Sequence, residues 1–159
     1  MSVVKEKPIW NFTINGGHVS GTKSVATARG KSVIIDEPLQ RGGTDEGPMP
    51  VEYVFMGLLG CTHVISNKLA RANGISFTSM DIDIKVTMDS HGTRLINPID
   101  VPFPEVTLFI KADYEGPRDG ALQVVEKLRQ HCAVSMMLQK SGTKVVENWT
   151  LNDEVIQSA

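Results

Sequence analysis

The sequence predicts an α+β protein built mainly on antiparallel sheets, and three observations support this fold class. Short segments of alternating apolar and polar residues, typical of half-buried strands, occur towards both ends of the chain. A long apolar helical segment separates them into two groups, and a second helical region precedes the last strand. The resulting order, βββ-α-ββ-α-α-β, lacks the regular βαβ alternation of a parallel sheet. With 159 residues, the chain is predicted to form one domain, residues 1–159.

The composition is that of an ordinary globular protein. Hydrophobic residues make up 41% of the chain, charged residues 21%, and the net charge is −2. Because no basic cluster is present, binding to nucleic acid or to an anionic membrane surface is not expected. No signal peptide is predicted, and the longest apolar run, residues 53–61, is far shorter than the ~20 residues that cross a bilayer. A cytoplasmic protein is expected, in which a disulfide would be transient.

Three strands are predicted in the N-terminal part, joined by turns that contain glycine. Their segments are residues 8–15, 18–28 and 32–36. Gly16 and Gly17 supply the first turn, and Arg29 and Gly30 supply the second. Short consecutive strands linked in this way indicate an antiparallel meander.

Residues 37–50 form a predicted loop, since the segment contains three glycines and three prolines. A helix is predicted to follow over about residues 50–73. Pro50 fits its first turn, where the missing N–H is not needed. Glu52 complements the positive end of the helix dipole.

This predicted helix is apolar on nearly every face through Cys61. A helix of that kind must be covered by protein on most sides. Gly57 and Gly60 each cost about 1 kcal/mol relative to alanine in a helix interior. Close approach by another backbone is the expected compensation.

The C-terminal half predicts a sheet combined with helices. Alternation indicates strands at residues 79–88 and 105–113, joined as a hairpin with a long loop. Helical spacing indicates a helix at residues 117–130. Residues 133–140 either continue this helix or form a short one, and residues 143–151 form a closing strand.

The chain contains two cysteines, Cys61 and Cys132, which lie 71 positions apart at apolar helical runs. Two interpretations are open. They are buried side chains that act as small hydrophobes, or they are a reactive pair that folding brings together. Cys132 precedes a new helical segment, and a thiol at a helix N-terminus is expected to have a lowered pKa.

Arg41 and Glu52 precede Cys61 by 20 and 9 positions. A guanidinium can stabilise a thiolate and bind a peroxide oxygen, and a carboxylate on the helix can hold that guanidinium in place. The alternative is a solvated loop arginine and a glutamate that only complements the helix dipole.

A zinc site is a further alternative, because Cys61, His63, His131 and Cys132 offer two sulfurs and two nitrogens. Residues one or two positions apart on a helix point in different directions, and the closely spaced cysteine pair of structural zinc sites is absent. No metal or other cofactor is therefore expected. The phosphate-binding, dinucleotide-binding, serine-hydrolase and zinc-protease motifs are absent as well.

Two segments carry a resemblance to a known family. The run GPMPVEYVFMGLLGCTHVISNKLARANGI has a Gly/Pro-rich loop, a proline, a glutamate and an apolar helix that ends in a small residue and Cys61. In the run VVEKLRQHCAVSMMLQKSG, Cys132 is followed by Ala133 in place of a proline and by a retained Ser135. With the preceding DEP and GG motifs, the whole chain resembles the OsmC/Ohr family (osmotically inducible protein C and organic hydroperoxide resistance protein).

The resemblance implies an OsmC-like fold, with two main helices that carry the cysteines and an intertwined homodimer with sites at the subunit interface. It also implies a two-cysteine, metal-free thiol peroxidase that reduces organic hydroperoxides in oxidative-stress defence. Cys61 would be the peroxidatic thiolate and Cys132 the resolving thiol, while Arg41 and Glu52 would complete the site. An external dithiol would reduce the resulting disulfide.

Two departures from characterised peroxidases indicate a less characterised, OsmC-like branch. Val51 follows the proline directly, so that Glu52 is turned by about 100° from the family position. His18 stands where the Ohr branch has its arginine. These departures keep an alternative open, namely an OsmC-like protein that binds a small molecule or senses redox state without efficient peroxidase turnover.

Overall fold

The structure, a computed structural model, describes residues 8–156. This part of the chain forms two compact units, residues 8–54 and residues 55–156. The prediction of a single domain concerns the whole chain and stays a prediction. Among the described residues, no helix combines the length and apolar character needed to span a membrane.

The first unit contains a three-stranded antiparallel sheet. Its strands are β1 (Asn15–Ser20), β2 (Lys23–Ala28) and β3 (Lys31–Ile35), adjacent in that order. The predicted meander is therefore confirmed. Gly30, with a φ of 74°, makes the second turn as predicted, because its backbone adopts a left-handed conformation that favours glycine.

The first predicted strand and turn are wrong. Residues 8–14 form no strand, Gly16 and Gly17 lie inside β1, and the chain turns at Gly21 instead. A Cβ at Gly16 would lie 2.6 Å from the carbonyl oxygen of Val25 on β2. Glycine at this position thus permits close pairing of two strands rather than a turn.

The predicted long helix is confirmed as α1 (Pro50–Ala72). Its buried residues recur at every third or fourth position, as expected for one helix face. They are Phe55, Leu58, Thr62, Ser66 and Ala70.

The rest of α1 is less covered than its composition predicts. Met56, Leu59 and Val64 are 51%, 40% and 51% exposed. A Cβ at Gly57 or Gly60 would meet no atom within 4 Å outside its own helix backbone in the described part of the chain. The close backbone approach predicted at Gly57 and Gly60 is therefore not seen within residues 8–156.

The second unit contains a four-stranded mixed sheet and two helices. In the order of their adjacency, the strands are β4 (Ser76–Thr87), β5 (Glu105–Glu115), β6 (Lys144–Leu151) and β7 (Glu154–Ile156). The β4–β5 and β6–β7 pairs are antiparallel, and the β5–β6 pair is parallel. The parallel pair arises because α2 (Arg118–His131) and α3 (Ala133–Lys140) connect β5 to β6. The sequence predicted every one of these elements except β7.

One face of the sheet and one side of α2 supply most of the buried apolar residues. Alternate residues of β5 are buried, as expected for a strand with one covered face. Each fully buried Leu, Ile or Val side chain contributes about 1.5 to 3 kcal/mol of transfer free energy. The buried set includes Val106, Leu108, Ile110, Ala112, Val124, Leu128, Trp149 and Leu151.

Candidate active site

Cys61 and Cys132 meet within the second unit. Cys61 lies in the middle of α1 and is half-buried, whereas Cys132 is fully buried at the junction of α2 and α3. Both are free thiols, and their side chains lie close enough for Cys61 to raise the pKa of the Cys132 thiol. The structure thus brings two residues that lie 71 positions apart into one site, as the interpretation of a reactive pair requires.

Cys132 ends one helix and begins the next. Its φ and ψ of −76° and 108° are extended, so the helical backbone is interrupted. Its N–H donates to the carbonyl of Leu128 at 2.9 Å, and its own carbonyl accepts from the N–H of Met136 at 2.9 Å. Ala133 occupies the first position of α3, where a proline would also fit. The interruption therefore forms without proline.

Burial raises the pKa of the Cys132 thiol from its ordinary value of 9.0 to about 12. Interaction with the side chain of Cys61, including its charge, contributes to this rise. The backbone N–H groups of Ser135 and Val134 lower it, although neither makes a regular capping hydrogen bond. The lowered pKa predicted for a thiol at this helix N-terminus is wrong, because loss of solvation outweighs these N–H groups. Cys132 therefore keeps its proton at neutral pH.

Gln139 fixes the junction behind Cys132. Its Nε2 donates to Oγ of the buried Ser135 at 3.0 Å and to the carbonyl of Arg129 at 3.5 Å. These bonds join α3 to the last turn of α2. Gln139 was not predicted from the sequence, although it lies four positions after Ser135, a spacing at which helical side chains meet.

Two polar residues lie on the buried face of α1 near Cys61. Thr62 is 1% exposed, and Ser66 is fully buried. Within residues 8–156, Oγ of Ser66 has no hydrogen-bond partner. Their burial could not be predicted from the sequence pattern, because polar residues of an apolar helix are expected on its exposed side.

Arg41 lies at the end of a 3-10 turn, Leu39–Arg41, in the first unit. Its N–H donates to the carbonyl of Pro38 at 2.8 Å, which fixes its backbone. Its side chain is 47% exposed, and Nη1 lies 3.8 Å from Oε2 of Glu37. Glu37 was not singled out from the sequence, although a separation of four positions is common in local ion pairs.

Asp36 organises the segment that carries Arg41, residues 36–49, which we call the Asp36 loop. Its Oδ1 accepts hydrogen bonds from the hydroxyl of Thr22 and the N–H of Glu37, both at 2.8 Å. Its Oδ2 accepts from the hydroxyl and N–H of Thr44 at 2.6 and 2.9 Å, and from the N–H of Glu46 at 3.4 Å. The Thr44 hydroxyl foremost, with the other donors, holds the pKa of this buried carboxyl far below its ordinary value.

Glu52 caps the start of α1. Its Oε2 accepts a hydrogen bond from the N–H of Met49 at 2.8 Å. Met49 precedes the helix, so Glu52 occupies the third helical position, from which glutamate reaches back in a capping box. The proposed contact of Glu52 with Arg41 stays a prediction.

The zinc alternative requires a cluster of ligands. Within residues 8–156, no group of three or more His, Cys, Asp or Glu side chains is arranged to hold a metal ion. His63, one of the four residues considered for zinc, lies on the exposed side of α1, with its Nε2 3.5 Å from Nδ2 of Asn67.

The family model for OsmC-like proteins matches residues 43–148, more than half of the chain. The chain belongs to the OsmC-like family. Its resemblance to OsmC/Ohr proteins and its α+β fold class are thereby confirmed. No curated protein gives a significant match to this OsmC-like sequence.

Solved structures share the OsmC-like fold at low sequence identity. An OsmC-like protein from Mycoplasma pneumoniae matches with a TM-score of 0.74 and 18% identity, over 89% of this chain and 97% of that one. An organic hydroperoxide resistance protein OsmC from Legionella pneumophila matches with a TM-score of 0.64 and 14% identity, over 90% and 98%. An organic hydroperoxide resistance protein from Elizabethkingia anophelis gives 0.64 and 16%, over 92% and 100%. These similarities establish the fold.

Proposed function

We propose that this OsmC-like protein is a two-cysteine thiol peroxidase that reduces organic hydroperoxides. The observation that carries the proposal is the juxtaposition of two free thiols, one half-buried and one fully buried. An accessible thiol beside a sheltered one suits a peroxidatic and a resolving cysteine. Structural neighbours described as organic hydroperoxide resistance proteins support the same chemistry.

In the first step, the Cys61 thiolate attacks the terminal oxygen of the hydroperoxide. A sulfur–oxygen bond forms, the O–O bond breaks, and the alkoxide takes up a proton to leave as an alcohol. Cys61 is oxidised to a sulfenic acid. Cys61 is assigned this role because Cys132 is buried and keeps its proton.

In the second step, the sulfur of Cys132 attacks the sulfenic sulfur of Cys61. A disulfide forms, and the hydroxyl leaves with the Cys132 proton as water. Oxidation of Cys61 removes its negative charge, which is one of the causes of the raised Cys132 pKa. An external dithiol then reduces the disulfide and restores both thiols.

The remaining predicted residues assist these steps. Arg41 supplies a guanidinium that binds the peroxide and favours the thiolate. Glu52 fixes the start of the helix that carries Cys61. The active protein is a homodimer with its sites at the subunit interface, acting in cytoplasmic defence against oxidative stress. The exposed apolar side chains of α1, such as Met56, support a protein partner on that helix.

The proposal is tested by mixing the reduced protein with cumene hydroperoxide and following the loss of thiols. The wild-type protein is expected to lose both thiols per peroxide, faster than free cysteine does. Cys61→Ser is expected to lose the fast reaction. In Cys132→Ser, the Cys61 thiol is expected to be oxidised and to remain as a sulfenic acid, which dimedone traps. Wild-type oxidation no faster than that of free cysteine would contradict the proposal.

A second candidate function is redox sensing or small-molecule binding without efficient turnover. The high pKa of Cys132 favours it, since a resolving thiol that holds its proton attacks slowly. Dimedone labelling of the wild-type protein distinguishes the two functions. A sensor is labelled at Cys61 and shows no dithiol-dependent turnover, whereas a peroxidase forms its disulfide before the label reacts.

A further inference from the structure

Glu37 presents a buried carboxylate oxygen with no hydrogen bond in the described part of the chain. Its Oε2 is shielded from solvent, although the side chain as a whole is 25% exposed. A buried carboxylate oxygen without a donor is unfavourable, because it has lost its water and gained no replacement. The guanidinium of Arg41 lies beside this oxygen, with Nη1 3.8 Å from Oε2.

The backbone of Glu37 is held at several points. Its N–H donates to Asp36, and its carbonyl accepts from the N–H of Asp45 at 3.2 Å. Gly43 packs so closely on Glu37 that a Cβ there would collide with the Glu37 carbonyl. The backbone that carries the carboxylate is therefore held by contacts that do not involve the side chain of Arg41.

The backbone of Arg41 is held by hydrogen bonds as well. The carbonyl of Pro38 accepts the N–H of Arg41 at 2.8 Å and that of Gly43 at 3.2 Å, which closes the turn. A displacement of about 1 Å would bring the guanidinium into hydrogen-bond distance of Glu37, and a guanidinium carries five N–H donors in a fixed plane. Glu52 is less suited to this task, since its Oε2 already accepts the N–H of Met49.

We propose that Glu37 is the positioning residue that orients the Arg41 guanidinium. The proposal rests on the function proposed above, because it names the carboxylate through which Arg41 is aimed. Glu37 acts only through Arg41 and touches no substrate. A fixed carboxylate partner leaves the other edge of the guanidinium free for a peroxide oxygen.

The test combines kinetics with a spectroscopic readout. Glu37→Gln keeps the shape of the side chain and removes its charge, and Glu46→Gln is a matched control because Glu46 lies in the same loop and binds Lys23. With cumene hydroperoxide, we expect Glu37→Gln to slow Cys61 oxidation about tenfold, as small misplacements of catalytic groups do. Glu46→Gln is expected to stay within about twofold of the wild type. In an Arg41→Gln background, Glu37→Gln is expected to have no further effect.

Side-chain ¹⁵N NMR of Arg41 gives the second readout, assigned by the signals that Arg41→Gln removes. A held guanidinium gives separate Nη resonances, and these are expected to average in Glu37→Gln but not in Glu46→Gln. Equal slowing by Glu37→Gln in both backgrounds would overturn the proposal, as would unchanged Arg41 resonances. If the wild-type protein does not react with the peroxide, the proposed function fails, and the NMR comparison alone decides whether Glu37 orients Arg41.

Discussion

Cys132 in the second unit and Asp36 in the first are both almost fully buried, at 0% and 1% exposure. The pKa values of their side chains nevertheless shift in opposite directions. Burial raises the pKa of Cys132 to about 12, because the loss of water outweighs the N–H groups of Ser135 and Val134. The pKa of Asp36 is lowered, because hydroxyl and N–H donors surround both of its oxygens. The donors that replace water, rather than burial alone, therefore decide whether a buried group is charged.

The largest expected effect comes from opening the packing around the thiol pair. Leu128 is 1% exposed and its carbonyl binds the N–H of Cys132. Leu128→Ala is expected to lower the free energy of unfolding by about 2 to 5 kcal/mol, as cavity-forming substitutions do. Urea unfolding measures this change. Gln130→Ala, at an exposed position of the same helix, is the control and is expected to change it by less than about 0.5 kcal/mol.

The second prediction concerns stability at high pH. Because the folded-state pKa of Cys132 is raised from 9.0 to about 12, its neutral form stabilises the fold fully below pH 9. That contribution is lost as the pH rises towards 12. Unfolding free energies measured from pH 8 to 11.5 are expected to fall more steeply for the wild type than for Cys132→Ser. Parallel curves for the two proteins would contradict the assignment.

The third prediction concerns stability at low pH, where the charge of Asp36 is lost. The pKa of Asp36 is lowered from its ordinary value of 3.8, so its charged form stabilises the fold above that pH. This contribution is lost as the pH falls below 3.8. Acid unfolding is expected to show a stability advantage of the wild type over Asp36→Asn that shrinks with decreasing pH. Thr44→Val, which removes one strong donor, is expected to lie between them; an advantage independent of pH would refute the prediction.

The smallest expected effect concerns the start of α1. Glu52→Ala removes the acceptor of the Met49 N–H and is expected to cost about 1 kcal/mol of unfolding free energy. Glu52→Gln retains a capping acceptor and is expected to cost less. Thermal unfolding of the two variants gives the comparison. A reduced peroxide rate in Glu52→Gln would indicate that Glu52 also acts on Arg41, as the sequence predicts.

The elements with strong periodicity could be predicted from the sequence. The long helix and the central strands follow from spacing alone, because each buries one face. Gly16 and Gly17 were misassigned, since glycine marks both turns and close strand pairing, and only the partner strand distinguishes them. The last short strand, β7, has too few residues to display a period.

The site was harder to predict. Spacing could not establish that Cys61 and Cys132 meet, because their contact depends on how three helices pack; the family resemblance supplied the pairing. The predicted direction of the Cys132 pKa shift was wrong, because the sequence reveals the helix N-terminus but not the depth of burial. Glu37 was overlooked because the carboxylate partner of Arg41 was sought further along the chain, at Glu52.

Gly57 and Gly60 have a practical consequence for engineering. An alanine at either position would gain up to about 1 kcal/mol of helix propensity and would meet no neighbour in the described chain. A screen that rewards only heat resistance of the single polypeptide would therefore favour both replacements. Each added methyl group would project from the helix that is proposed to face a second copy. Such a screen would improve the protomer at the expense of the proposed assembly, so libraries of this protein should be sorted by oligomeric state as well as by melting temperature.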